Sequence, residues 1–199
     1  MQVLIFTLSI FIFLHTLYKL VKDDHVFLRK NIKVEEIFDI AFIVTAIGLI
    51  LAQIAAPKNI TFLTFFVFGS SLSLLLIGKY KKFPLGRLFD FFTLSFLTAL
   101  PILYLLESLL FKKIELIIYL ISAFIYFSLA VYFNKILLKR VMSRTIKEGN
   151  LSVYFMIFFS ILSLSTSIVR AIIEHGGFLN FENIILVFTF IVGLILLFT

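Results

Sequence analysis

The chain has 199 residues, 62% of them hydrophobic and 15% charged, with 27 Phe, no Trp, no Cys and a formal charge of +7. A mean hydropathy of +1.16 excludes a water-soluble domain, and with it cytosolic enzymes and nucleic-acid binders. The absence of cysteine excludes disulfides, thiolate nucleophiles and Cys-ligated zinc or iron–sulfur centres.

Apolar runs broken by charge predict seven membrane spans within a single transmembrane domain covering residues 1–199. In chain order they are Val3–Leu20, Ile37–Ala55, Ile60–Gly78, Phe91–Leu110, Leu116–Phe133, Leu151–Val169 and Asn183–Phe198. Seven spans of about 20 residues leave only short loops. The first run has no basic start and no small-residue cleavage site after it, so an uncleaved helix is expected rather than a signal peptide. The fold class predicted is therefore all-α and polytopic.

Fourteen of the 18 basic residues fall in three alternate connections. These are Lys19, Lys22, Arg29, Lys30 and Lys33 after the first span, Lys79, Lys81, Lys82 and Arg87 after the third, and Lys135, Lys139, Arg140, Arg144 and Lys147 after the fifth. Basic loops stay in the cytoplasm during insertion, which predicts an outside N-terminus and a cytoplasmic C-terminus. The positive charge then reflects topology and attraction to anionic headgroups, and needs no nucleic acid. Two of these basic connections lead into the next helix alike: Arg29–Asp39 and Lys81–Asp90 each pass from a basic pair to a Phe-Asp dipeptide near the helix start. An acid there is favoured by the helix dipole by ~0.3–1 kcal/mol. The third ends in Lys147-Glu148-Gly149-Asn150, a turn with Asn150 expected as N-cap.

Ionisable groups within spans are costly and mark candidate sites. Arg170 and Glu174 stand four apart at the end of the sixth span, preceded by Ser160, Ser163 and Ser167 at helical spacing. Such a stripe suits a lipid phosphate held by Arg170, with Glu174 fixing the guanidinium. The competing reading is a close helix contact made by small residues, with the charges at headgroup level. Tyr104 and Glu107, one turn apart in the fourth span, form a second candidate pair, with an interfacial location close to Lys112 and Lys113 as the competing reading. Of the three histidines, His15 is read as an interhelical hydrogen-bonding group and His25 as solvated. His175, followed by Gly176-Gly177 beside the Arg170–Glu174 pair, is the one of the three best placed to meet substrate, with a plain turn as the competing reading. No clustered metal-ligand spacing and no Gly-x-Ser-x-Gly elbow occurs, so neither a metal nor another cofactor is expected.

The layout resembles the prolipoprotein diacylglyceryl transferases, seven-helix bacterial enzymes that move diacylglycerol from phosphatidylglycerol to a lipobox cysteine. Three regions carry the likeness: Ile77–Phe91, a basic stretch running into a helix with Asp90 at the matching place; Arg29–Gly48, a similar earlier segment; and a C-terminal part with Lys147-Glu148-Gly149, Arg170, Glu174 and Gly193. The family's Gly-Arg-x-Gly-Asn signature would fall at Leu103–Glu107, where the chain reads Leu-Tyr-Leu-Leu-Glu. The resemblance implies a bacterial plasma-membrane transferase with phosphatidylglycerol as lipid partner and a prolipoprotein signal peptide as acceptor. On that basis Glu174 and His175 are the catalytic candidates, and Arg170, Ser163, Ser167, Tyr104 and Glu107 the substrate-binding ones. The alternatives from the residues alone are a non-catalytic lipid-binding or scaffold protein on the same frame, or a small transporter or channel subunit lined by the serine stripe.

Overall fold

In the computed structural model, which describes residues 2–55, 61–110, 114–173 and 181–198, every regular element is a helix. In order these are α1 (Gln2–Lys22), the short α2 (His25–Arg29), α3 (Val34–Ala55), α4 (Thr61–Tyr80), α5 (Leu85–Ser108) and α6 (Ile114–Tyr132). A π turn (Phe133–Leu137) joins α6 to α7 (Leu138–Met142), and α8 (Asn150–Ile173) and α9 (Phe181–Phe198) follow. Among the described residues, six helical stretches are long and apolar enough to cross a membrane, and the apolar stretch Glu182–Phe198 of α9 is shorter. The protein is an all-α polytopic membrane protein. Large apolar side chains such as Phe11, Phe42, Ile54, Phe124 and Phe188 are exposed, as helices solvated by lipid tails require.

The helices exceed the apolar runs where charge was read as loop. The fourth span begins at Leu85, six residues before Phe91, because Arg87 and Asp90 lie inside the helix and are buried. The fifth continues past Phe133 to Met142 and carries Lys135, Lys139 and Arg140 on helical backbone. Its buried stripe is Tyr119, Ala123, Tyr126, Ala130, Phe133, Leu137 and Val141. The first steps alternate four and three, which a regular helix accommodates, but the last two are both four. The wide turn at Phe133–Leu137 absorbs the extra residue and keeps Leu137 and Val141 on the buried side.

Each of the three basic connections ends its helix with the same backbone device. Asn31, Lys82 and Arg144 take φ of 53, 57 and 59°, in the left-handed region. The next residue then donates its N–H five positions back: Ile32 to the Phe27 carbonyl (3.0 Å), Phe83 to Gly78 (2.9 Å) and Thr145 to Arg140 (2.9 Å). The left-handed residue itself bonds three back, to Leu28, Lys79 and Val141. This pair of bonds is the Schellman cap, which satisfies carbonyls that a helix end leaves bare. In the first two connections the following helix starts three residues later and reaches its Phe-Asp dipeptide at the same step. The outcomes differ: Asp39 is exposed, whereas Asp90 has no exposed surface. Asn150, expected as an N-cap, is the first residue of α8 itself.

The chain packs as two compact units, one of Met1–Val34 with Gly86–Leu151 and one of Glu35–Leu85 with Ser152–Thr199. The first is centred on α5, whose apolar window is 67% buried, against at most 33% in the other spans. Pro101 lies within this helix without ending it. In the second unit Thr64 of α4 donates to the buried Glu182 carboxylate of α9 at 2.9 Å.

Candidate functional site

The expected serine stripe stands on one continuous helix. α8 runs unbroken to Ile173, so Ser160, Ser163, Ser167 and the backbone of Arg170 follow one another along it. Ser163 and Ser167 are half-buried, and Thr166 donates to the Ser163 carbonyl at 2.9 Å. Ser160 is fully enclosed, and its hydroxyl has no hydrogen-bond partner among the described residues. The Arg170 side chain, Glu174 and His175 lie outside what the structure describes.

Tyr104 and Glu107 belong to the first unit, whereas Ser163 and Ser167 belong to the second. The Tyr104 ring is stacked on Tyr126 of α6, with centroids 5.3 Å apart and planes within 15°, and tilted against Tyr119 at 5.7 Å. Both α6 tyrosines are buried. Face-to-face contact leaves no room for a ligand between Tyr104 and Tyr126, so the ring is committed to packing α5 on α6. Glu107, one turn further on, is half-buried.

The strongest charge cluster is one that sequence reading did not single out. Arg87, in the first turn of α5, is 1% exposed, and Asp24, between α1 and α2, is 3% exposed. Asp24 Oδ2 accepts from Arg87 Nε at 3.0 Å and Nη2 at 2.7 Å. Its other oxygen, Oδ1, accepts from the backbone N–H groups of Val26 (3.0 Å) and Phe27 (3.2 Å), which makes Asp24 the N-cap of α2. The guanidinium also reaches Met142 Sδ and lies 5.2 Å from the Phe91 ring centroid. Phe27 of α2 packs edge-on against that ring. A buried charge is tolerable only when paired and hydrogen-bonded, and here one carboxylate performs both tasks.

A second polar contact sits one turn further along α5. Asp90 Oδ2 accepts the Gly149 backbone N–H at 2.8 Å. Gly149 has a φ of +97°, and a Cβ built on Gly86 would stand 2.9 Å from the Glu148 carbonyl carbon and oxygen. Both positions therefore demand glycine: Gly149 for its conformation, Gly86 for the closeness of the chain crossing it. The Glu148 side chain, 44% exposed, approaches Arg87 Nη1 only to 3.8 Å. The signal that could have exposed this cluster was the pairing of an arginine with an aspartate one turn on, flanked by glycine, where a helix was expected to begin.

Among the described residues no three His, Asp or Glu side chains gather as a metal site. The described polar groups thus form a charged knot at the start of α5, an aromatic stack between α5 and α6, and a hydroxyl stripe along α8. No known family model, curated protein or solved structure matches the chain.

Proposed function

We propose that the chain is a phospholipid-handling membrane protein of the diacylglyceryl transferase type. One observation supports this reading. Two of the segments on which the resemblance rests, Ile77–Phe91 and Lys147-Glu148-Gly149, are distant in sequence but meet through the Asp90–Gly149 bond and the Gly86–Glu148 approach. They behave as one structural device rather than two separate likenesses.

In this reading Arg170 takes the phosphate of phosphatidylglycerol, Glu174 orients the guanidinium, and Ser163 and Ser167 line the approach along α8. His175 or Glu174 accepts the thiol proton of a lipobox cysteine supplied by a prolipoprotein. The sulfur displaces glycerol phosphate from the diacylglyceryl carbon, so a C–O bond breaks as a C–S bond forms. Tyr104 and Glu107 contribute through the α5–α6 stack. The membrane concerned is a bacterial plasma membrane, with phosphatidylglycerol drawn from its outer leaflet.

The test is complementation of bacteria depleted of their own transferase. Expression of the chain should restore a diacylglyceryl-modified lipoprotein, seen as a mass increase of the processed product, and Arg170→Ala should abolish it. A chain that accumulates in the membrane yet lipidates nothing removes the transferase reading. A non-catalytic lipid-binding scaffold is then favoured by a specific observation: the buried carboxylates of Asp24, Asp90 and Glu182 are all engaged with protein groups.

A further inference from the structure

We propose that Glu148 is a displaceable lid over an anion site at Arg87, and that the ligand is a phosphate group. The inference is independent of the diacylglyceryl transfer reading, since it involves neither Arg170 nor the α8 stripe. Nε and Nη2 of the buried Arg87 are spent on Asp24. Nη1 points instead at Glu148 Oε1, 3.8 Å away, beyond hydrogen-bond distance. The buried carboxylates of Asp24, bonded to Arg87, and Asp90, bonded to the Gly149 N–H, already outnumber the arginine, so Glu148 adds a surplus negative charge. Exchange of its carboxylate for a singly charged phosphate leaves the local charge unchanged.

The backbone and side chain of Glu148 are held very differently. Its carbonyl lies against Gly86, and the next residue is held by Asp90 through the Gly149 N–H at 2.8 Å. Its side chain is 44% exposed and approaches Arg87 no nearer than 3.8 Å. Rotation about its own torsions would therefore uncover Nη1 with no movement of the loop. Planar guanidinium donors suit phosphate oxygens, and charge-assisted bonds of this kind are shorter and stronger than the 3.8 Å contact they would replace. The segment leading to Glu148 attracts anions: Lys139, Arg140, Arg144 and Lys147 are all exposed. A phospholipid headgroup at the membrane surface and a free phosphate share this chemistry.

Purified full-length chain in a nonionic detergent would be titrated with inorganic phosphate, with glycerol phosphate, and with phosphatidylglycerol in mixed micelles, using phosphatidylcholine micelles as control. Binding is read by calorimetry and by the shift in thermal midpoint of the helical circular-dichroism signal. Glu148→Gln should bind about fivefold more tightly than the wild type, the scale of one lost surface ion pair. Glu35→Gln, which makes the same change in net charge at an exposed site in the other unit, should leave affinity unchanged. Arg87→Lys keeps a cation for Asp24 but has no second arm, and should bind roughly tenfold more weakly. A response to all three phosphates indicates a general phosphate site, and one confined to phosphatidylglycerol a headgroup site. Equal affinities for wild type and Glu148→Gln overturn the proposal, even if Arg87→Lys fails to fold. So does a gain in Glu35→Gln matching that of Glu148→Gln, or the absence of any response beyond phosphatidylcholine.

Discussion

Asp24 shows how much depends on single side chains in so apolar a chain. One oxygen caps the five-residue α2 and the other neutralises a buried arginine 63 positions away. Asp24→Ala should therefore cost ~3–5 kcal/mol for the stranded guanidinium, with a further ~1 kcal/mol for the lost cap. The double variant Asp24→Ala/Arg87→Met should be less destabilised than Asp24→Ala alone, because no charge is then stranded. Denaturant unfolding of the detergent-solubilised protein, followed by circular dichroism, measures both, and an Asp24→Ala midpoint equal to wild type would refute the account. Little of this was legible in sequence. Asp24 sits in Lys22-Asp23-Asp24-His25, which reads as a solvated turn, and neither composition nor periodicity reports a partner on another helix.

At the scale of elements, the recurring Schellman caps and the Gly86–Gly149 crossing make opposite demands on the backbone. Lys82 and Arg144 hold left-handed angles that cost an L-residue about 1–2 kcal/mol, part of which glycine recovers. Lys82→Gly should accordingly be neutral or raise the thermal midpoint. Gly149→Ala and Gly86→Ala should lower it, the first through strain at φ +97° and the second through the 2.9 Å approach to Glu148. Thermal scans of the three variants decide, and a stabilised Gly86→Ala would contradict the crossing. The apolar runs located the long helices well because about 20 residues without charge leave little alternative to a helix. They misplaced the start of α5 and the end of the fifth span, for two different reasons. Charge marks a loop only while it is solvated, and Arg87 is not, whereas Lys135 and Arg140 ride on a helix held by the buried Phe133, Leu137 and Val141.

For the molecule as a whole, orientation is the property on which every functional reading depends. The chain has no cysteine of its own, so single cysteines report cleanly on sidedness. Introduced at Lys33, Lys82 or Arg144, a thiol should resist a membrane-impermeant maleimide in intact spheroplasts and react after lysis. Introduced at Lys58 or Lys113, it should react at once. The inverse pattern would reverse the topology and place the Arg87 knot outside. The expected orientation rests on the sequence alone, since insertion responds to loop charge and loop charge can be counted. Of the candidate site it showed the α8 stripe but not the tyrosine stack, because Tyr119 and Tyr126 are simply two apolar-face residues until α5 brings Tyr104 against them.

The division of labour within Asp24 also sets an order on biosynthesis. Its capping bonds span two and three residues and can close as soon as α2 leaves the ribosome. Its bond to Arg87 must wait until a further 63 residues have been made, and the Asp90–Gly149 bond for 59 beyond Asp90. Each Schellman cap, by contrast, closes within five residues. The nascent chain can thus turn back at each basic connection long before the charged knot is tied. Until Arg87 is made, the second oxygen of Asp24 needs water, which holds this segment in contact with solvent. The arrival of α5 releases that hold, so a late-made arginine completes the burial of a segment synthesised much earlier.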